Sequence, residues 1–157
     1  MWFDEFKTPI GLLKIVVDAS GLRYVLFENN QHEPPKQQDW KRDRSATRQV
    51  REQLHQYFAG ERKGFDLKTS FTGTDFQQRT WQMLAHIPYG QTWSYGELAK
   101  RVGSPKAVRA VGAANGRNPL PIILPCHRVI GSNGKLTGFG GGLPVKQWLL
   151  EHEEKSA

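Results

Sequence analysis

SYGELAKRVGSPKAVRAVGAAN, residues 94–115, reads as two short helices joined by a tight turn. Ser94 stands three residues before Glu97, the spacing of a capping box, and it opens a helix that runs through Arg101. Val102-Gly103 breaks the pattern. Ser104 is then placed to cap a second helix with Pro105 at its first position, where a missing N–H costs nothing. That helix, Pro105 to about Asn115, is dominated by Ala107, Ala110, Gly112, Ala113 and Ala114 and carries Lys106 and Arg109. The pair predicts a helix-turn-helix. Small side chains let a helix backbone lie close against another surface, although tight core packing accounts for them equally well.

Working outward, Thr74-Asp75-Phe76-Gln77 is another capping box, ahead of a helix carrying Phe76, Trp81 and Leu84 and ending near Pro88-Tyr89-Gly90. Ser70 to Thr74 is a linker. Before it, Phe3–Lys7 and Leu12–Asp18 flank a turn at Pro9-Ile10-Gly11, and Leu22–Glu28 alternates as a third strand. Residues 29–44 are polar, contain Pro34-Pro35 and predict a loop. Ser45 is a candidate N-cap for a helix with Val50, Leu54, Tyr57 and Phe58 on one stripe, stopping near Gly60, and Phe65–Leu67 is expected to return to the sheet. On the other side, residues 118–130 hold three prolines within seven residues, which excludes a helix; the β-branched content predicts an extended buried segment. Asn133-Gly134 marks a turn, Gly138 to Gly142 a flexible loop, and Pro144 begins a last helix with Val145, Trp148 and Leu149 inward. The expected class is α+β, divided into a sheet-and-helix lobe over 1–72 and a mostly helical domain over 73–157.

The chain of 157 residues, 38% apolar with 17 aromatics, can build a core. No run approaches the ~20 apolar residues of a membrane span, and MWFDEFKTPIG lacks the apolar centre of a signal peptide. One cysteine excludes an internal disulfide and multi-cysteine zinc frameworks, and an unpaired thiol is expected in a reducing compartment. The net charge of +7 is uneven: residues 1–72 hold 12 Lys/Arg against 10 Asp/Glu, whereas 73–157 hold 10 against 5. Leu98 to Leu150 contains eight cations and no carboxylate. A solvated basic face would explain the total; the acid-free run favours a nucleic acid.

Cys126 lies inside that run. A lone cysteine is ordinarily inert packing. Here it follows Pro125 and precedes His127 and Arg128, an electropositive setting expected to favour thiolate, at the end of an apolar run that would place the sulfur on the floor of a pocket. In a strand, His127 would point to the opposite face, so proton transfer between them needs a bend or a bridging water. His127 also needs a group to orient it, and His152-Glu153 is available if the last helix packs back.

LPCHRVIG (124–131), preceded by RAVGAANGRNP (109–119) and followed by TGFGGGLPVKQWLLEHE (137–153), closely resembles the O6-alkylguanine-DNA alkyltransferases, or methylated-DNA–protein-cysteine methyltransferases. The resemblance is dense from Thr74 to Glu153; the first lobe matches in layout only, similar to that family's ribonuclease-H-like domain. It implies a winged helix-turn-helix domain that binds double-stranded DNA containing O6-alkylguanine and flips the damaged nucleotide, then transfers the alkyl group once and irreversibly to Cys126. His127 would act through a water as the base, Glu153 would hold and polarise His127, and Asn118 would shape the Cys126 loop. Tyr95 would donate towards the departing guanine and help swing the nucleotide out. Arg109 would fill the gap in the duplex, and the helix of Ala110 and Ala113 would lie in the minor groove with largely sequence-independent contacts. Ser94, Lys106, Asn115 and Arg128 would join the DNA contacts. Backbone near Val129 and the loop of Phe139 and Gly140 would line the base pocket, with Lys146 at the leaving group's edge. Phe139 stands where many relatives carry tyrosine, and Gly140 where a hydroxyl or methyl side chain is common. No metal or organic cofactor is implied, O4-alkylthymine is a further substrate to test, and the expected form is a cytoplasmic monomer, nucleoid-associated in a prokaryote, with cooperativity on DNA left open. The short N-terminal side fits a stand-alone repair protein rather than an inducible sensor.

Three rivals make different demands. A non-catalytic sensor of alkylated DNA with a similar fold typically carries tryptophan at the acceptor position, and Cys126 speaks against it. A cysteine hydrolase would need an oxyanion hole and would turn over. A winged-helix regulator would read a sequence in the major groove and would keep all its function in Cys126→Ala.

Overall fold

Alternation of apolar and polar residues in the first 27 residues builds a meander. In the computed structural model, which describes residues 1–29 and 40–157, β1 (Trp2–Thr8) pairs antiparallel with β2 (Gly11–Asp18), and β2 with β3 (Gly21–Phe27). Leu13, Ile15 and Val17 of β2 point into the core, and a register irregularity at Val16/Val17 lets Val16 be buried as well. A short β4 (Lys41–Arg42) lies parallel to β1, giving the order β3-β2-β1-β4. This strand falls in a stretch expected to be loop; two exposed polar residues leave no alternation to read, and residues 30–39 of that expected loop, with Pro34-Pro35, lie outside the described residues. Buried Asp4 ties the edge together, accepting from Arg42 at 2.8 Å and Arg51 at 3.2 Å.

The first helix, α1 (Arg48–Phe58), turns Val50, Leu54 and Tyr57 onto the core as expected. Its start is not at Ser45. Thr47 precedes the helix without capping it, and its hydroxyl instead donates to Asp43 O at 2.9 Å. Nor does Phe65–Leu67 return to the sheet; the contact is a single parallel bridge between Thr69 and Leu22, because Leu22 N–H bonds Lys68 O and Ser70 N–H bonds Leu22 O.

Beyond the linker, α2 (Asp75–Leu84) begins with the complete reciprocal box of Thr74 and Gln77. Strand β5 (Trp93–Ser94) leads into α3 (Tyr95–Val102), capped by Ser94. Gly103 closes α3 in the left-handed region, φ 88°, and Ser104 N–H bonds back to Ala99 O. The next helix, α4 (Val108–Gly116), starts three residues later than Pro105, because Ser104 closes a turn to Ala107 N–H through its carbonyl and does not cap with its side chain. Helices α2, α3 and α4 pack on one another, and Trp81 Nε1 donates to Ala114 O at 2.7 Å, fixing α4 against α2.

The proline-rich segment is not extended throughout. Residues 121–124 form a turn in which Leu124 N–H reaches Leu120 O, Ile122 adopts φ 75°, and Cys126–Arg128 make one turn of 3-10 helix. Only β6 (Val129–Ile130) is strand, parallel to β5. The last helix, α5 (Leu143–Ser156), buries Lys146, Leu149 and Glu153, while the expected Val145 and Trp148 are only partly buried. Two of the three residues on its inward face are charged, so hydrophobic periodicity points to the wrong stripe. A single apolar cluster runs through both halves, from Leu13 and Tyr57 to Leu98, Val129 and Leu149. Among the described residues no helix is long and apolar enough to cross a membrane.

Candidate active site

The 3-10 turn decides the geometry. It replaces the alternation of a strand, so Cys126 and His127 need not point apart, and Arg128 N–H closes it onto Pro125 O. Asn118 holds the preceding turn: its Nδ2 donates to Leu124 O at 2.7 Å and its Oδ1 accepts from Leu120 N–H at 2.9 Å, while its side chain also bonds the Cys126 thiol. Asn115, expected to face DNA, is buried and donates to Cys126 O at 3.4 Å. Pairing of Trp93-Ser94 with Val129-Ile130 sets the start of α3, and with it Tyr95, beside this turn.

Glu153 arrives from α5. Its Oε2 lies 2.6 Å from His127 Nε2 and accepts from Tyr57 Oη at 2.6 Å and Arg128 Nη2 at 3.0 Å; Oε1 accepts from Arg128 Nε at 2.7 Å. Arg128 spends its remaining nitrogen on Ile87 O at 2.7 Å. It is therefore a buried ion-pair partner, and the expected DNA contact from Arg128 does not survive: all three guanidinium nitrogens are engaged inside the protein. His152, the other member of the expected pair, turns away to Tyr57 O and stacks on Trp148.

Ionisation follows from these contacts. Against the desolvation that burial imposes, bonds and charge from His127 and Arg128 hold the Glu153 carboxyl far below its ordinary range. Burial pushes the His127 imidazole down, outweighing the pull of Glu153, so the ring is neutral near pH 7. A carboxylate can only accept, so Nε2 carries the ring proton and Nδ1 is a bare acceptor; that Nδ1 is buried with no partner among the described residues.

The thiol departs from the sequence expectation. Cys126 is 4% exposed, and burial pushes it up to about 11 despite the lowering effects of Asn118 and Lys146. Roughly one molecule in ten thousand then carries thiolate at pH 7. In the absence of DNA, alkylation of Cys126 by a small reagent such as iodoacetamide is expected to be slow at pH 7 and to rise about tenfold per pH unit towards 11. A rate already maximal at pH 8, followed by mass spectrometry, would contradict this.

Lys146, fully buried, donates to Val129 O at 2.6 Å and Thr137 O at 2.8 Å, with its ammonium 5.9 Å from the Tyr95 ring. Burial lowers it to about 8. Val129 thus gives its carbonyl to Lys146. Next to this lies a cavity of about 290 Å³ walled by Tyr95, Gly112, Gly116, Thr137, Phe139 and Gly140. Phe139 is pinned from behind by Phe27 of β3, ring centres 5.4 Å apart. Gly141 admits this contact, since a Cβ there would come within 2.8 Å of the Phe27 ring. Lys106, just before α4, and Arg109, Ala110 and Ala113 along α4 are exposed, and Ser94, before Tyr95, is partly buried. Among the described residues no group of three His, Cys, Asp or Glu side chains could hold a metal ion.

Tyr57 and Thr137 carry no mark in the sequence of belonging to this site. Tyr57 reads as one more member of an apolar helix stripe, and Thr137 contributes only a carbonyl, which leaves no mark in a sequence.

Comparison with known proteins agrees with this layout. Residues 3–71 match a family model described as 6-O-methylguanine DNA methyltransferase, ribonuclease-like domain, and residues 75–155 match that of the DNA binding domain. A methylated-DNA–protein-cysteine methyltransferase of Methanosarcina acetivorans is 48% identical over 153 residues, 98% of each chain. One from Mycobacterium tuberculosis is 49% identical, covering 99% of this chain and 93% of the relative. The crystal structure of Mycobacterium tuberculosis OGT in complex with DNA superposes with a TM-score of 0.95 at 47% identity, covering 100% of this chain and 95% of that one.

Proposed function

The chain belongs to the 6-O-methylguanine DNA methyltransferase family, and from this we propose that it repairs O6-alkylguanine in double-stranded DNA by taking the alkyl group onto Cys126. The observation that carries the reading is the buried pair His127–Glu153 next to Cys126 in the chain, in which the carboxylate fixes the tautomer that leaves His127 Nδ1 without a partner among the described residues and able to accept a proton. With a water between them, His127 takes the thiol proton as sulfur attacks the alkyl carbon. The S–C bond forms, the C–O6 bond breaks, and the electron pair stays on guanine, which takes up a proton as it leaves. Tyr95 donates towards that departing base, and the Lys146 ammonium favours the thiolate. Gain of one alkyl group on Cys126 from a lesion duplex tests the reading.

A thiol this deep meets O6 only if the nucleotide leaves the stack, at a cost of a few kcal/mol. The cavity walled by Tyr95, Phe139 and Gly140 supports a role as the base pocket, with Phe139 as the aromatic wall. The exposed row of Lys106, Arg109, Ala110 and Ala113 supports minor-groove docking of α4, with Ser94 near the backbone. Arg109→Ala is expected to slow transfer from duplex about 10- to 100-fold while slowing transfer from single-stranded oligonucleotide much less, because only the duplex needs its gap filled. Equal losses on both substrates would remove Arg109 from that role. Residues 1–72 serve as the supporting lobe and 73–157 as the reacting domain, and the place of work is the cytoplasm, at the nucleoid in a prokaryote. A sensor that binds without reacting is disfavoured by the thiol at 126 and the histidine that follows it.

A further inference from the structure

Tyr57 sits on α1, 96 residues before Glu153 in the chain, and has no place in the proton transfer just described. Its ring is fully buried among Phe58, Phe65, Tyr89 and His152. Its hydroxyl is aimed at one atom: Glu153 Oε2, at 2.6 Å, the same oxygen that lies 2.6 Å from His127 Nε2. The backbone carbonyl of Tyr57 is held in turn by His152 Nε2 at 2.7 Å, one residue from Glu153 on α5, so α1 grips α5 at two adjacent points. We propose that Tyr57 is a positioning residue for alkyl transfer: through its hydroxyl, the N-terminal half fixes the Glu153 oxygen that orients His127 and limits how strongly that oxygen pulls on the imidazole.

Several donors compete for a single acceptor. Oε2 accepts from Tyr57, from His127 and from Arg128 Nη2, and every donor that shares its charge weakens its hold on the others. A carboxylate relieved of the phenol would bond His127 more tightly, favour imidazolium and raise the pH below which the base is lost. The other groups facing this cluster keep their places: Arg128 on Glu153, the Tyr89 ring under the Arg128 guanidinium, His152 on the Tyr57 carbonyl, and Lys146 towards Cys126. The inference rests on the reading of His127 as the base.

The test is the pH profile of single-turnover methyl transfer from an O6-methylguanine duplex, with the His127 ring nitrogens followed by NMR. Tyr57→Phe keeps the ring and removes the donor. Its acid limb is expected to move up by about half a pH unit or more, with the His127 titration moving in the same direction and affinity for the lesion duplex unchanged. Site-specific 3-fluorotyrosine at 57, a stronger donor of nearly the same shape, is expected to move both down, and it carries the test if Tyr57→Phe does not fold. An acid limb or a His127 titration that stays in place in the folded variant overturns the proposal and leaves Tyr57 as packing. Transfer at the full rate by His127→Gln would instead overturn the base reading itself, and the two failures are told apart by which variant behaves as wild type.

Discussion

Mixed with a short duplex containing O6-methylguanine, the protein is expected to gain the mass of one methyl group, about 14 Da, on Cys126 and to react no further, because a thioether has no hydrolytic exit here. Cys126→Ala is expected to lose transfer completely, since the chain has one cysteine and no second thiol can stand in for it. Binding to the lesion duplex should persist in the variant, as the row along α4 lies on the outer surface and Cys126 does not contribute to it. Intact-mass spectrometry with peptide mapping reads the first result and a gel-shift titration the second. A mass unchanged in the wild-type protein despite tight lesion binding would make it a sensor; a substrate consumed in excess of protein would make it a hydrolase. Because burial pushes the resting thiol up to about 11, transfer is expected to depend on deprotonation coupled to attack rather than on a standing pool of thiolate.

The second large effect falls on Glu153. Glu153→Gln removes the charge that pairs with buried Arg128 and accepts from Tyr57, leaving a guanidinium with 7% side-chain exposure facing a neutral amide. Loss of one partner of a buried pair is expected to cost about 3–5 kcal/mol, a large share of the roughly 5–15 kcal/mol that holds a domain folded. Urea unfolding at pH 7 measures it. The pH dependence has a definite sign. The folded-state carboxyl is depressed below its ordinary 4.5, so its contribution is complete above that value and is lost as pH falls towards the folded value. His127, also depressed by burial, adds loss in the same direction below 6.5. The wild type should therefore weaken from near pH 6.5 downward and more steeply below 4.5, and Glu153→Gln should lack the second part. An unfolding free energy within 1 kcal/mol of wild type (less than the ~1–3 kcal/mol of one unsatisfied buried group) would show the cluster relaxing around the amide. Transfer should also fall, by about 10²–10⁴-fold, as His127 faces an amide that can donate or accept in place of the acceptor-only carboxylate that fixes its tautomer.

Both effects trace to residues legible in the sequence to different degrees. Thr74 and Ser94 announce their helices because an N-cap is a local event, complete within four residues; Thr74 completes the box with Gln77, whereas at Ser94 the Glu97 carboxylate turns to Arg101 and only the cap itself forms. The three strands of the meander announce themselves through alternation over seven or eight residues. Ser45 and Ser104 carry the same chemistry and do not cap, since nearby backbone turns satisfy the first N–H groups in another way. Asn115 and Arg128 were expected to reach DNA for want of any sign that they are buried; their partners are Cys126 O, Glu153 and Ile87 O, none nearer than 11 residues away.

By itself, the sequence determined the α+β order, the helix-turn-helix, the lone cysteine and its histidine neighbour, and the run of cations free of carboxylates. These depend on residue identity and short spacing, which the chain carries wherever it folds. Only the tertiary structure decided that Cys126 sits in a 3-10 turn as a protonated thiol, that α5 turns Lys146 and Glu153 inward, and that Tyr57 of the first lobe bonds the carboxylate of the last helix. Each of these is set by desolvation and by contacts between segments far apart in sequence, and a buried charge becomes tolerable only when its partners arrive from elsewhere.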